Sequence, residues 1–326
     1  MQLTKRQHYV PQCYLKQFSA KYNEKVDYFD KVTGKSFTSM HVENVAQQRY
    51  YYDFSEEFVK SYNSNFSTNL NVEEINIQFL EKYFSKLETG FGNAFLTLVQ
   101  KINDEKNLLT TDLNKVITEV ERQELSFFMA LQSIRTPSYR ELLKNFVTIL
   151  EKNSFSIFDS IKLDEIDENE LFFYYLDTGV LDRLANHFNK NFNWSLGIIT
   201  NPEQARFPHI RKMFVTDEFL ISDNPVINFK HINQKNHLDL SLEFAIPITP
   251  HHIIILRDNN YPQKEATSIF EVDRNQVRIY NEYQYRFSKR FVFYSKSTNK
   301  SKVKNFFKYN PEEYTQNNGN FCVLTY

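Results

Sequence analysis

Cysteine is almost absent: Cys13 and Cys322 are the only two in 326 residues, which excludes a disulfide framework and the paired-cysteine spacing of a zinc site. Glycine is scarce, with six in the chain. Left-handed turn positions must therefore often fall to asparagine, so many Asn residues read as turn chemistry rather than catalysis. Charge excess of either sign is also missing, with 39 basic against 40 acidic side chains. No global field attracts a polyanion, and any nucleic-acid contact needs a local patch. No stretch approaches the roughly 20 consecutive apolar residues of a membrane helix, and no apolar signal core follows the basic residues of the first ten positions. HExxH, CxxC, P-loop, GxGxxG and GxSxG motifs are all absent, which argues against the common metal-dependent and nucleotide-loop enzymes. The reading is an unexported, cytoplasmic protein without metal or cofactor.

Aromatic residues are abundant instead, with 31 Phe and 20 Tyr, and a large aromatic core is expected. Residues 25–30 and 35–38 are short alternating runs flanking a connector that contains Gly34, a hairpin pattern. Residues 49–54 are rich in β-favouring aromatics and predict a third strand, making residues 1–60 a small sheet with the N-terminal element against it. From Val72 onward the period becomes helical: Ile75, Phe79, Leu80, Tyr83, Phe84, Leu87, Phe91, Phe95, Leu98 and Ile102 recur at three- and four-residue steps. A second helix is predicted from Thr111-Asp112 to Thr136, ended by Pro137, and a third from a capping-box pattern at Ser138 and Glu141. Further helix is expected between 168 and 189, interrupted near Gly179. Beyond Asn193, residues 194–199, 212–215, 219–221, 242–248 and 252–256 read as strands, followed by a helix over 274–288 and a strand over 291–294. The order β, α, β predicts an α+β fold: an N-terminal hairpin sheet, a central bundle of long helices and a mostly antiparallel C-terminal sheet. With no low-complexity linker, residues 1–326 read as one compact domain with subregions 1–60, 70–190 and 191–326.

Four places carry polar groups where burial is expected. Gln132 and Arg135 lie three apart on the face that also holds Phe128, and a buried arginine requires a carboxylate, a phosphate or carbonyls. Glu88 sits in the stripe of Phe84, Phe91 and Phe95; it is either the partner of Arg135 or an acid of raised pKa. His8 precedes the rigid Val10-Pro11 step and is either an oriented acid–base group or a structural imidazole. Asp223 and Asn224 end a core strand before Pro225, as an Asx turn or as displayed functional groups. His251 and His252 are adjacent on a strand and point to opposite faces, unsuited to sharing a metal. Lys5 with Arg6, and the lysines at 296, 300, 302, 304 and 308, are the local basic patches; the second run reads as a solvated helix face.

The segments His8-Tyr9-Val10-Pro11 with Tyr14-Leu15 and Phe18, Glu88 in a long helix, Gln132-x-x-Arg135-Thr136-Pro137, Ser222-Asp223-Asn224-Pro225 and Pro247-x-Thr249-Pro250 occur in one order. In this they resemble the bacterial family catalogued as domain of unknown function 4238. Cys13 stands where members often carry an aromatic. The resemblance implies one composite site assembled from these motifs, and a bacterial protein of the accessory or defence repertoire; it implies no established activity.

Two functions follow as expectations. The first is a metal-independent, RNase-like hydrolase of phosphodiester or nucleotide-type substrates. His8 would act as base or acid and Arg135 would stabilise phosphorane charge. Gln132 and Asn224 would position the substrate, Asp223 or Glu88 would orient His8, and Lys5 and Arg6 would hold RNA. The second is a non-catalytic sensor or protein-interaction domain, with a protein partner or a second copy, in which the same residues form a buried network that fixes packing.

Overall fold

The computed structural model describes residues 3–19, 24–65, 75–152, 167–200, 218–232, 240–258 and 268–295. In chain order these carry β1 (Arg6–His8), α1 (Gln12–Leu15), β2 (Lys25–Asp30), β3 (Lys35–His41), β4 (Gln47–Arg49), α2 (Glu56–Asn65), α3 (Phe79–Asp104), α4 (Leu113–Val116), α5 (Glu119–Ile134), α6 (Pro137–Lys152), α7 (Glu168–Asp177), α8 (Val180–Lys190), β5 (Asn193–Ile198), β6 (Ile221–Ser222), β7 (Ile227–Ile232), β8 (Leu240–Thr249), β9 (His252–Arg257), β10 (Ile269–Glu271), α9 (Arg274–Phe287) and β11 (Phe291–Tyr294). The fold is α+β, with small N-terminal strands, central helices and a mostly antiparallel C-terminal sheet, as its sequence pattern predicts. Two compact units divide the chain: one holds positions 1–13 and 43–192, the other 14–42 and 193–326. The expected strand at 212–215, the C-terminal lysine run and Cys322 lie outside the described residues. Among the described residues, no helix is long and apolar enough to cross a membrane.

The first unit is mainly helical. The apolar stripe of α3 is buried at Leu80, Phe84, Phe91, Phe95, Leu98 and Ile102, and Phe95 stacks on Phe128 of α5 with ring centroids 5.5 Å apart. The helix expected from 111 to 136 is two helices. Asp112 caps α4 by accepting from the Asn114 N–H at 2.9 Å, and Ile117 is extended. Thr118 then opens α5 with a capping box to Glu121. Two strong caps a few residues apart make a break there cheaper than a continuous helix. Pro137 occupies the first position of α6, where its missing N–H costs nothing. The Thr136 hydroxyl, rather than Ser138, accepts from the Tyr139 N–H at 3.4 Å. Gly179, at φ +74°, separates α7 from α8.

β1 and β4 form a two-stranded antiparallel ladder with Arg6 opposite Arg49 and His8 opposite Gln47. The strand expected over 49–54 is thus displaced: β4 ends at Arg49, and Tyr50 turns the chain at φ +54°.

In the second unit, β2 and β3 form the expected hairpin, its turn closed by Gly34 at φ +65° with its N–H on the Asp30 carbonyl at 2.8 Å. The remaining partners of this sheet come from far along the chain, in the order β3-β2-β11-β6. A five-stranded sheet runs β10-β5-β9-β8-β7, antiparallel except for the β10–β5 pair. Helix α9 serves both. Val277 and Tyr280 pack with Ile227, Ala245, Ile253 and Ile255, while Tyr285 packs with Phe29, Leu220, Val292 and Tyr294.

Among the described glycines the tightest surroundings are at Gly197 in β5, where an added Cβ would lie 2.5 Å from Val272 Cγ2 and 2.8 Å from Ile253 Cγ2. Gly197→Ala is expected to destabilise by about 1–3 kcal/mol through overpacking. It would be read as a lower urea midpoint at unchanged slope; an unchanged midpoint would refute the close packing.

Candidate functional site

The joint between α5 and α6 sits at the centre of the first unit's polar interior. Arg135 ends α5 because Pro137 starts the next helix, and its side chain is 1% exposed. One terminal nitrogen donates to the Glu88 carboxylate and the other to the main-chain carbonyl of His8. The guanidinium lies 5.2 Å from the Phe84 ring centroid and 6.0 Å from that of Tyr52. Burial alone would lower the Arg135 pKa, but Tyr52 and Glu88 hold it above the ordinary value. Glu88 keeps 27% of its side chain exposed, so the pair has a dry end and a wet end.

His8 therefore contributes its backbone to Arg135. Its Nε2 faces the Glu43 carbonyl at 3.2 Å; a carbonyl only accepts, so that nitrogen carries the hydrogen. Nδ1 lies 3.5 Å from the Gln12 amide. Gln132 is wholly buried one turn before Arg135, and neither of its amide atoms finds a hydrogen-bond partner among the described residues, a costly arrangement. Lys5 and Arg6 are exposed. Arg6 donates to Asn44 Oδ1 at 2.6 Å and stands directly across from Arg49, so like charges share one edge.

Asp223 and Asn224 belong to the second unit. The Asp223 carboxylate accepts from the N–H groups of Lys289, Arg290 and Phe291 at 2.8, 2.7 and 2.9 Å, fastening the turn that leads into β11. Burial pushes its carboxyl up to about 6, against the lowering effect of those N–H groups and the charge of Lys31. Asn224 donates to the Phe287 carbonyl at 3.2 Å, and its own N–H reaches the Ser222 hydroxyl. Among the described residues no group of three or more His, Cys, Asp and Glu side chains is placed to hold a metal.

Further residues of the first unit's polar interior are marked by the sequence weakly or not at all. Glu81 lies seven before Glu88 on the same face of α3. Burial pushes it up to about 7; Arg135 opposes this, while Glu88 and Asp53 add to it. Gln7, wholly buried, accepts from the Tyr52 N–H at 2.6 Å and donates to Asp53 at 2.5 Å, tying β1 to the 50–53 turn. Gln78 joins them, donating to Asp53 at 3.1 Å and accepting from the Thr4 N–H at 2.8 Å. Arg140, on the first turn of α6, donates to the Tyr51 carbonyl at 3.1 Å and to Asn169. Seven-residue spacing from Glu88 was the available clue for Glu81; the Tyr50-Tyr51-Tyr52 run reads equally well as a strand.

These features define an α+β protein whose N-terminal strand, long helix and helix joint meet at a buried arginine–carboxylate pair. Over residues 6–298 the chain matches the model of the family described as Protein of unknown function (DUF4238), and it belongs to that family. No curated protein and no solved structure matches it.

Two outcomes are expected here. Glu88→Gln leaves a buried charge uncompensated and should cost about 3–5 kcal/mol, whereas adding Arg135→Met should recover part of that loss. A strictly additive cycle in urea would show the pair to be uncoupled. Glu81 holds its proton longer in the native state than at the ordinary value of 4.5, so the native state binds more protons between about 4.5 and 7. Stability should fall as pH rises through that window and level off above it. In Glu81→Gln this slope should shrink to the part that Asp223, pushed up to about 6, still contributes, as measured by urea melts at pH 5 and pH 8.

Proposed function

We propose that this protein is a non-catalytic sensor or interaction domain in which the Arg135 network fixes the packing of three chain segments. The observation that carries this reading is that both terminal nitrogens of a 1% exposed guanidinium are already engaged by Glu88 and the His8 carbonyl. A group so placed organises structure: its terminal nitrogens are committed to protein acceptors, and its unpartnered Nε is buried. Asp223 is likewise engaged by three main-chain donors, and Asn224 by the Ser222 hydroxyl and the Phe287 carbonyl. The low cysteine count, Cys13 and Cys322 alone, supports a reducing, cytoplasmic setting, and the family resemblance supports a bacterial defence role.

A second reading is the metal-independent hydrolase of phosphodiester or nucleotide substrates, with Arg135, His8 and Gln132 in the roles set out above. One observation favours it: Glu81, pushed up to about 7 beside the Arg135–Glu88 pair, has the pKa of a general acid at neutral pH. In that reading Glu81 supplies the proton and Glu88 holds Arg135.

The test pairs activity with stability. Wild type and Arg135→Ala are each melted, then exposed to total RNA, transfer RNA, single-stranded DNA and common nucleotides, with and without chelator. The expected result is no turnover by either protein and a loss of about 3–5 kcal/mol in the variant. Chelator-insensitive turnover by wild type, abolished in a still-folded Arg135→Ala or Glu81→Gln, would overturn the non-catalytic reading in favour of the hydrolase.

A further inference from the structure

Five residues beyond Arg135, a second arginine is buried under the opposite condition. Arg140 is 5% exposed, yet its partners are neutral: the Tyr51 carbonyl and the Asn169 side-chain oxygen. Its Nε, like that of Arg135, is buried with no acceptor among the described residues; the difference is that among these no carboxylate forms an ion pair with Arg140. The guanidinium lies 4.4 Å from the Tyr51 ring centroid and 5.6 Å from that of Phe172. Aromatic faces and neutral acceptors offset part of the desolvation of a cation, but the strongest compensation is an anion. Arg135 has that anion in Glu88. Arg140 does not.

Arg140 also lines a cleft of about 340 Å³, at the lower end of the range for small-molecule pockets. Tyr51 and Tyr50 form part of the wall. Tyr50 is 43% exposed and is held at φ +54°, a conformation that bulky residues rarely adopt and that recurs at ligand clamps. Lys144 adds a second cation, and the exposed Gln48 adds an amide able both to donate and to accept. The two acids in the wall have partners: Asp167 accepts from the Asn169 N–H at 2.7 Å, and Glu168 meets Lys144 at 2.8 Å in a solvent-exposed pair, which is weak enough to exchange. Arg140 and Lys144 formally balance Asp167 and Glu168, so the cleft favours a ligand of low charge over a polyphosphate. An aromatic wall beside a guanidinium suits a base joined to a phosphate, and the volume suits one nucleotide rather than a strand.

We infer that this cleft binds a nucleoside monophosphate, with the phosphate on Arg140 and the base against the Tyr50–Tyr51 wall. The inference names the ligand of the sensor reading and rests on it, but it depends on none of the Arg135 contacts.

Isothermal titration of the full chain with AMP, GMP, CMP and UMP tests it, with adenosine, inorganic phosphate and ATP as comparators. At least one monophosphate is expected to bind more tightly than any comparator. Affinity should fall about ten-fold in Tyr50→Gly, as loss of one stacking contact implies, and also in Arg140→Gln. Glycine suits the left-handed backbone at position 50, so Tyr50→Gly keeps the test decisive even if Arg140→Gln fails to fold. No heat with any monophosphate, equal affinity for inorganic phosphate alone, or unaltered affinity in a folded Tyr50→Gly would each overturn the inference. The two readings part cleanly. Turnover of a bound monophosphate would overturn the non-catalytic function and leave the binding site standing, whereas absent binding with a strongly destabilised Arg135→Ala would remove the ligand and leave the structural network.

Discussion

A guanidinium cannot enter a protein core alone, and the first unit is arranged around that constraint at Arg135. Its charge is met by a carboxylate from α3 and a carbonyl from β1, while the aromatic rings of Phe84 and Tyr52 flank it. These contacts come from three stretches of chain, so satisfying one side chain fixes the N-terminal strand, the long helix and the 50–53 turn together. The second unit answers the same constraint in its own way. Glu243 and Arg257 face each other across β8 and β9, are 0% and 2% exposed, and are joined at 2.9 Å; the Tyr280 hydroxyl from α9 completes the carboxylate at 2.7 Å. There sheet register and helix docking are linked through one charge pair. Such pairs contribute little net stability over an apolar substitute, but leaving one member unpartnered is severe, which makes them devices for excluding alternative packings.

The parts of this arrangement that were legible in the sequence are those governed by local periodicity. Helical spacing put Glu88 among phenylalanines and set Gln132 and Arg135 on one face, and the cost of burying an arginine made the carboxylate its expected partner. The S-D-N-P turn was legible as a turn because Asp and Asn close such structures through their side chains. What escaped detection depends on long-range pairing or on strain. Nothing local says that the hairpin of residues 25–41 completes its sheet with residues 221–222 and 291–294. A Tyr at φ +54° contradicts the preference of its own side chain, so the run at 50–52 looked like a strand. Arg140 was invisible for a related reason: its partners are a main-chain carbonyl and an asparagine 29 residues away, neither of which any spacing rule connects to it.

The helix joint itself shows how a short motif can do two things. Thr136-Pro137 stops one helix and starts another within two residues, because proline tolerates only the first position of α6. That break places Arg135 at the end of one helix and Arg140 on the first turn of the next, near the same Tyr51-Tyr52 pair. One arginine faces a built-in counter-charge and the other lines an open cleft.

Neither compact unit is continuous in the chain. Residues 14–42 belong with 193–326, and residues 1–13 belong with 43–192. A gene encoding such a protein has no internal point at which one crossover separates the two units cleanly, since every cut splits at least one of them. Inheritance must therefore treat the span as a single module. The match over residues 6–298, running through both units without a seam, is what such a module leaves in sequence.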